Sequence, residues 1–512
     1  MAIADLFGLG NESKLAKAAG HGDAATVSAL LKQGVSPNAT KLGYPALFNA
    51  AWGNSIAIVE MLIEAGANVN QRAWFGTTPL LVATGKGHAR IVHILIAANA
   101  FLNKRDKWGG TALFLAAERG SLELTSLLIA ANANLNKADH YGRSPTLIAA
   151  QHGHADVVDA LVNAHADYDK PNHHGESPLM VAALANHIDT LVLLLNAGAD
   201  VNQCNRHGES ILLQAAGRGH VVVVDLLLRV GAAIDTRSLN GSSALLVAIA
   251  EGHVDVVHLL VDAGADVNQC DQNGMSPLLL ATYHGQLEVA LALINASADP
   301  HMTNNLGSFP LLAAVSQGHQ GLVDLFIHSS VNVNQATTAG HTPLMRAADL
   351  GHLSIVQLLI AANADTNLES LTGDTALIFA AFRGQFEMAQ HLVAAQANIN
   401  HCNKAGVSAV SLAAAGGHVN IVHLLIAANA DINKCDCRGE TPIFKAARNG
   451  HAQVVELLLL AGAQIHQPDE VNPLAVARRR GHRHIEQLLE VTPMAIPLVS
   501  ISVPTESTPL AV

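Results

Sequence analysis

Glycine recurs at positions 43, 76, 109, 142, 175, 208, 241, 274, 307, 340, 373, 406 and 439, twelve successive equal intervals without an insertion or deletion. A period of about 33 residues, held so strictly, is the mark of an array in which one small structural unit is stacked on copies of itself. It overrides the division into three or four domains that 512 residues would otherwise suggest at about 150 residues each. Thirteen full repeats occupy residues 43–471. A degenerate N-terminal capping repeat over 11–42 and a shortened C-terminal one over 472–490 bring the expected total to fifteen. Residues 1–10 read as an N-terminal extension. Residues 491–512, with four prolines and the single charge Glu506, read as a disordered tail because they lack the apolar content to form a core.

The repeat has a physical reading when counted from its opening glycine. Two residues on stands Thr or Ser in eleven of thirteen copies, a helix N-cap, often with proline next at the first helical position. Eleven residues on stands Gly, or Asn at Asn54 and Asn186, which predicts a turn at positive φ between two helices. The second helix shows apolar pairs at helical spacing, such as Ile91-Val92 with Leu95-Ile96. Twenty-three residues on, Gly or Asn closes it in nine copies. At His165, Ser297, Ser330 and Gln396 that signal is missing, and the sequence predicts local fraying. A turn-rich segment returns to the next glycine. The fold class that follows is an all-α repeat solenoid of stacked helix-turn-helix units.

Gly340-His341-Thr342-Pro343-Leu344, the Ala-Ala and Gly-His pairs, Leu-Leu and Gly-Ala-Asp-Val-Asn at this period resemble ankyrin repeats across residues 11–490. The resemblance implies projecting β-hairpin or turn fingers, a concave recognition face and a role in protein binding. One departure stands out. The histidine the family usually places after Thr-Pro-Leu is absent from all thirteen full copies, where Phe48, Leu81, Phe114, Leu147, Met180, Leu213, Leu246, Leu279, Leu312, Met345, Ile378, Ser411 and Phe444 stand. Inter-repeat packing is expected to replace the hydrogen bond that histidine makes in the family. The resemblance also raises asparaginyl hydroxylation at positions such as Asn70, Asn202 and Asn268.

Composition excludes several functions. Charged residues make up 14% of the chain and the net charge is -12, so a general nucleic-acid-binding face is not expected. No run of about 18 apolar residues reads as a membrane span, and Met1–Glu12 has no signal-peptide pattern. Five sparse cysteines fit a reducing compartment, so the expected location is cytoplasmic. No phosphate loop, nucleophile elbow, zinc-protease helix or dinucleotide fingerprint occurs in a fitting context, so neither an enzyme nor a cofactor is expected.

The histidines fall into two groups. His88, His154, His187, His220, His253, His319, His352, His418, His451 and His482 share one repeat position after the inter-helix turn and are expected to be structural. His140, His173, His174 and His207 fall at fingertips. Repeats packed at about 8–10 Å hold such ligands too far apart for one zinc at about 2 Å each, so no metal site is expected. Cys204, Cys270, Cys402 and Cys435 share one register, and Cys435-x-Cys437 lacks a second half-site.

Function is expected where the scaffold leaves positions free: the fingertip pair before the opening glycine, the residue after it, and two first-helix positions nine and ten residues on. All three tryptophans, Trp52, Trp74 and Trp108, fall there, as do Tyr44, Tyr141 and Tyr283, while Tyr168 does not. Phe75 joins the aromatic set. The basic members are Lys86, Lys107, Arg119, Arg143, Arg206 and Arg218, set against Glu118, Glu176 and Glu209. His140, His152, His173, His174 and His207 complete the candidates. Buried Trp, Tyr and Arg dominate binding hot spots, so these residues predict a partner protein with an acidic and apolar segment, bound by a monomer acting as scaffold or adaptor. Capping hydrophobic patches between fingers is the structural alternative for the aromatics. Two functional alternatives are an ankyrin-rich effector delivered by an intracellular bacterium into the host-cell cytoplasm, and a non-catalytic targeting subunit of an enzyme complex. The basic run Arg478, Arg479, Arg480, His482, Arg483 and His484 reads as a solvated cap, or as an anionic docking patch.

Overall fold

The computed structural model describes residues 9–466 and 469–491, and the expected tail beyond 491 lies outside them, as do residues 1–8 of the extension. The chain divides into two compact halves, 1–272 and 273–512. Each is a stack of helix pairs, such as Pro79–Lys86 with Ala89–Ala97 in the first and Pro343–Leu350 with Leu353–Ala361 in the second. Within each half, first helices pack on the first helices of neighbouring repeats and second helices on second helices. Strand pairing among the described residues is confined to Thr40–Lys41 with Tyr44–Pro45 and to isolated bridges at Cys204–Ser210 and Cys402–Ser408.

The caps form as the sequence predicts. Ten of the eleven Thr and Ser side chains accept a hydrogen bond from the backbone N–H three residues on, as Thr78 does from Leu81 and Ser144 from Leu147. Thr375 makes no such bond, and its hydroxyl is buried without a partner. The thirteen residues that replace the family histidine are all buried, from Leu147 at 0% exposure to Leu312 at 8%, so inter-repeat packing has taken that position. Burying a side chain of this size contributes about 1.5–3 kcal/mol as an upper value.

A different histidine supplies a polar link between repeats. The ring Nε2 of His88 lies 3.3 Å from the carbonyl of Trp52, and those of His154, His187, His220, His253, His451 and His482 lie 3.0–3.2 Å from a carbonyl of the preceding repeat. A carbonyl only accepts, so each bond holds the proton on Nε2. The same ring lies across the inter-helix glycine of the preceding repeat. A Cβ on Gly120 would sit 2.5 Å from His154 Cε1, and one on Gly153 would sit 2.6 Å from His187 Nδ1. That turn is glycine for two reasons, its φ and its neighbour.

The predicted fraying at four second-helix ends is not what the structure shows. His165, Ser297, Ser330 and Gln396 adopt φ of 57° to 67°, the same left-handed turn as glycine elsewhere. Each cap is closed by two backbone hydrogen bonds, as from His165 to Val162 and from Ala166 to Leu161, both 2.9 Å. The residue that follows, Ala166, Ala298, Val331 or Ala397, is buried, and its packing together with those bonds offsets the conformational cost.

Candidate partner-binding surface

Four successive fingers, those opening at Gly109, Gly142, Gly175 and Gly208, are each held by a polar side chain three residues before that glycine. Asp106 Oδ1 accepts from the backbone N–H groups of Trp108 and Gly110 at 2.9 and 2.8 Å, and Asp139, Asn172 and Asn205 bracket the next three fingers in the same way. Backbone bonds then join finger to finger: Lys107 N–H to Phe75 O at 2.8 Å, His140 to Trp108, His173 to Tyr141, Arg206 to His174 and Leu239 to His207. A further staple comes from the Val-Asn segment. Asn202 Oδ1 accepts from Ala233 N–H at 2.8 Å, and Asn70 does the same for Phe101 at 2.7 Å. Tips from Trp74 to His207 therefore form one hydrogen-bonded row in the N-terminal half.

On this row the aromatics stay in solvent. Trp52, Trp74, Phe75, Trp108 and Tyr141 are each 53–58% exposed, whereas Tyr44 is half-buried against Phe48. Trp74 lies across Gly43 of the preceding finger and meets Phe75 edge-on, with ring centroids 6.3 Å apart. Lys107 Nζ sits 3.8 Å from the Phe75 centroid and 4.2 Å from that of Trp108, and Lys86 Nζ sits 4.0 Å above Trp52. Cation–π contacts of this kind hold the ammonium groups beside apolar surface while leaving them solvated on the far side.

The remaining candidates divide. His140 lies over Gly109 and His173 over Gly142, both exposed, as are His174, Arg206, His207 and Arg218. Arg119 packs on Gly87 and donates to Gly85 O at 3.2 Å. His152 stacks beside His154 at 5.9 Å. Arg143 is committed elsewhere: its guanidinium pairs with buried Asp139 at 2.7 Å and lies near the Tyr141 and Phe114 rings, so its charge is compensated. Glu176 and Glu209 are tied to Asn172 and Asn205 at 2.7 Å. Tyr283 donates to Ser308 Oγ at 2.8 Å and Tyr168 to Ala197 O at 2.7 Å, both structural bonds. In the C-terminal basic run, Arg478 pairs with Glu486 and Glu490.

Matches to the ankyrin-repeat family model, which spans three copies, overlap continuously from 10–73 through to 410–497. The chain belongs to the ankyrin-repeat family. Among solved structures it is similar to the ankyrin repeat domain of Bcl-3, titled a unique member of the IkappaB protein family, at 28% identity and a TM-score of 0.40, over 43% of this chain and 99% of that one. No curated protein matches it. No described helix is long and apolar enough to cross a membrane, and no described group of three or more His, Cys, Asp or Glu could hold a metal ion.

This ankyrin array also exposes large apolar residues beyond the predicted aromatic set. Leu239, Leu306 and Leu371 stand at fingertips at 64–89% exposure, and Phe382 at a first-helix position at 57%. They occupy the same variable register as the tryptophans, so their positions were legible from spacing. Phe101, 57% exposed, lies outside that register altogether.

Proposed function

We propose that the chain is a non-catalytic scaffold that holds a protein partner along the fingertips and first-helix surface of its N-terminal half, between Tyr44 and Arg218. Ankyrin repeats are in general a protein-binding fold, which supports the broad reading. The single observation that carries the finer one is Lys107 lodged between the exposed rings of Phe75 and Trp108. Such a pairing offers apolar side chains a flat aromatic surface and offers a carboxylate an ammonium beside it. Lys86 over Trp52 repeats the arrangement. A partner segment that alternates apolar and acidic side chains fits both. The five cysteines, all free thiols, support a reducing compartment.

The test begins with proximity labelling from the full chain, followed by affinity measurement on the recovered partner. Trp74→Ala and Trp108→Ala should each weaken binding by about thirtyfold, the equivalent of a hot spot of about 2 kcal/mol. Binding that stays within about twofold for both variants sinks the reading.

A further inference from the structure

A second concentration of charge lies away from the fingertip row, four and five residues before the opening glycines. Arg72, Lys104, Arg105 and Lys137 line a cleft of about 550 Å³, together with Phe101, Leu102 and Asn103. Lys104, Arg105 and Lys137 are half-buried, and Arg72 is exposed. Among the described residues none of the four cations forms an ion pair. The carboxylates closest in sequence are engaged elsewhere, Asp106 with its own finger and Asp139 with Arg143. Arg105 donates through Nη2 to Ala138 O at 2.7 Å, but its Nε is buried with no partner. Lys104 Nζ is held 5.1 Å from the Phe101 centroid, and Asn103 is fixed by the N–H of Asn134 at 2.8 Å.

Four cations without a counter-ion, in a chain of net charge -12, form a local positive field that partly desolvated groups strengthen. A single carboxylate would neutralise one of the four. The guanidinium groups can pair bidentately with two oxygens of a phosphate, and the cleft volume lies within the roughly 300–1,000 Å³ of small-ligand sites. We propose that this cleft binds a small polyphosphorylated anion whose phosphates are shared among Arg72, Lys104, Arg105 and Lys137. None of these residues belongs to the surface assigned to the protein partner, so the two readings stand or fall separately.

Isothermal titration of the full chain with inorganic tripolyphosphate at about 50 mM salt tests the assignment. Saturable 1:1 binding is expected, weakening as salt rises to about 0.5 M because screening shortens the reach of the cations. Arg72→Gln and Lys137→Gln, whose side chains make no hydrogen bond to a described residue, should together lower the affinity at least tenfold while the circular dichroism melt stays put. Arg206→Gln with Arg218→Gln, on the fingertip and first-helix surface, should leave it unchanged. Absence of saturable binding overturns the proposal, as does an unchanged affinity in the Arg72 and Lys137 variant. Hexaglutamate binding as tightly as tripolyphosphate, and lost in the same variant, also overturns it, because the cleft would then be a carboxylate-peptide site.

Discussion

Replacing Gly120 with alanine separates the two reasons for glycine at the inter-helix turn. Gly120 has a φ of 71°, and its new Cβ would stand 2.5 Å from Cε1 and Nδ1 of His154. An L side chain in that left-handed region costs about 1–2 kcal/mol before any contact is counted. His154 is anchored by its bond to Glu118 O at 3.2 Å and so cannot move off without weakening it. Asn54 and Asn186 limit the size of this second effect. They carry a Cβ in the same slot, yet His88 and His220 keep their bonds at 3.3 and 3.1 Å, so the ring gives way at modest cost. Adding about 1 kcal/mol for a weakened hydrogen bond gives a total of about 2–3 kcal/mol. Gly198→Ala is the internal control, since its φ is 90° and nothing lies within 4 Å of the added Cβ, so it carries only the conformational cost. A repeat array need not unfold in one step, so the readout is amide hydrogen exchange in the full chain, over residues 111–165 for Gly120→Ala and over the repeat around residue 198 for Gly198→Ala. Exchange there should quicken by about thirty- to 150-fold for Gly120→Ala. In a His154→Ala background the further cost of Gly120→Ala should shrink to that of Gly198→Ala. Equal costs in all three settings would show that the ring plays no part, and that φ alone places glycine at this turn.

Lys445 and Asp436 form a pair at 2.7 Å with both side chains only 7% exposed. Lys445→Ala should therefore cost about 3–5 kcal/mol by leaving a buried carboxylate without its counter-charge. Burial pushes the Asp436 carboxyl up, but hydrogen bonds from Lys445 and from the N–H groups of Arg438 and Glu440, with the Lys445 charge, outweigh it and set it below its usual value. Its contribution is therefore complete above the unfolded carboxylate range near pH 4 and lost as pH falls through the lower folded value, a loss that acid titration of local exchange should show in the wild type and not in Lys445→Ala. Asn202→Ala removes the acceptor of the Ala233 amide, so it should cost about 1 kcal/mol and speed exchange there, and an unchanged rate would rule out the staple. Thr342→Val should lose about 1 kcal/mol of capping, whereas Thr375→Val should be neutral or stabilising because that hydroxyl has no partner. Equal thermal shifts for the two would contradict this.

What could be read from sequence was whatever a residue does to its own backbone. Glycine at 76 and 109 admits positive φ locally, and Thr two residues later caps a helix locally, so both could be placed from spacing alone. What could not be read depends on a neighbour one repeat away. His154 identifies itself by register as structural, but nothing in the sequence says that its ring crosses Gly120 and reaches Glu118, because that contact exists only once two helix pairs have stacked. The four caps at His165, Ser297, Ser330 and Gln396 fail on the local criterion and still close, since burial of the next residue and two backbone bonds act through the stack. The candidate surface follows the same division. That Trp74, Trp108 and Lys107 fall on free positions is a matter of counting, whereas the docking of Lys107 between rings from two different fingers required the fingers to be joined in a row, and the neutralisation of Arg143 by Asp139 required the finger containing both to fold. Charge counting overstated the basicity of the fingertips by one cation, since Arg143 carries its counter-ion in Asp139, and passed over the cleft around Arg105, whose four cations form no ion pair among the described residues.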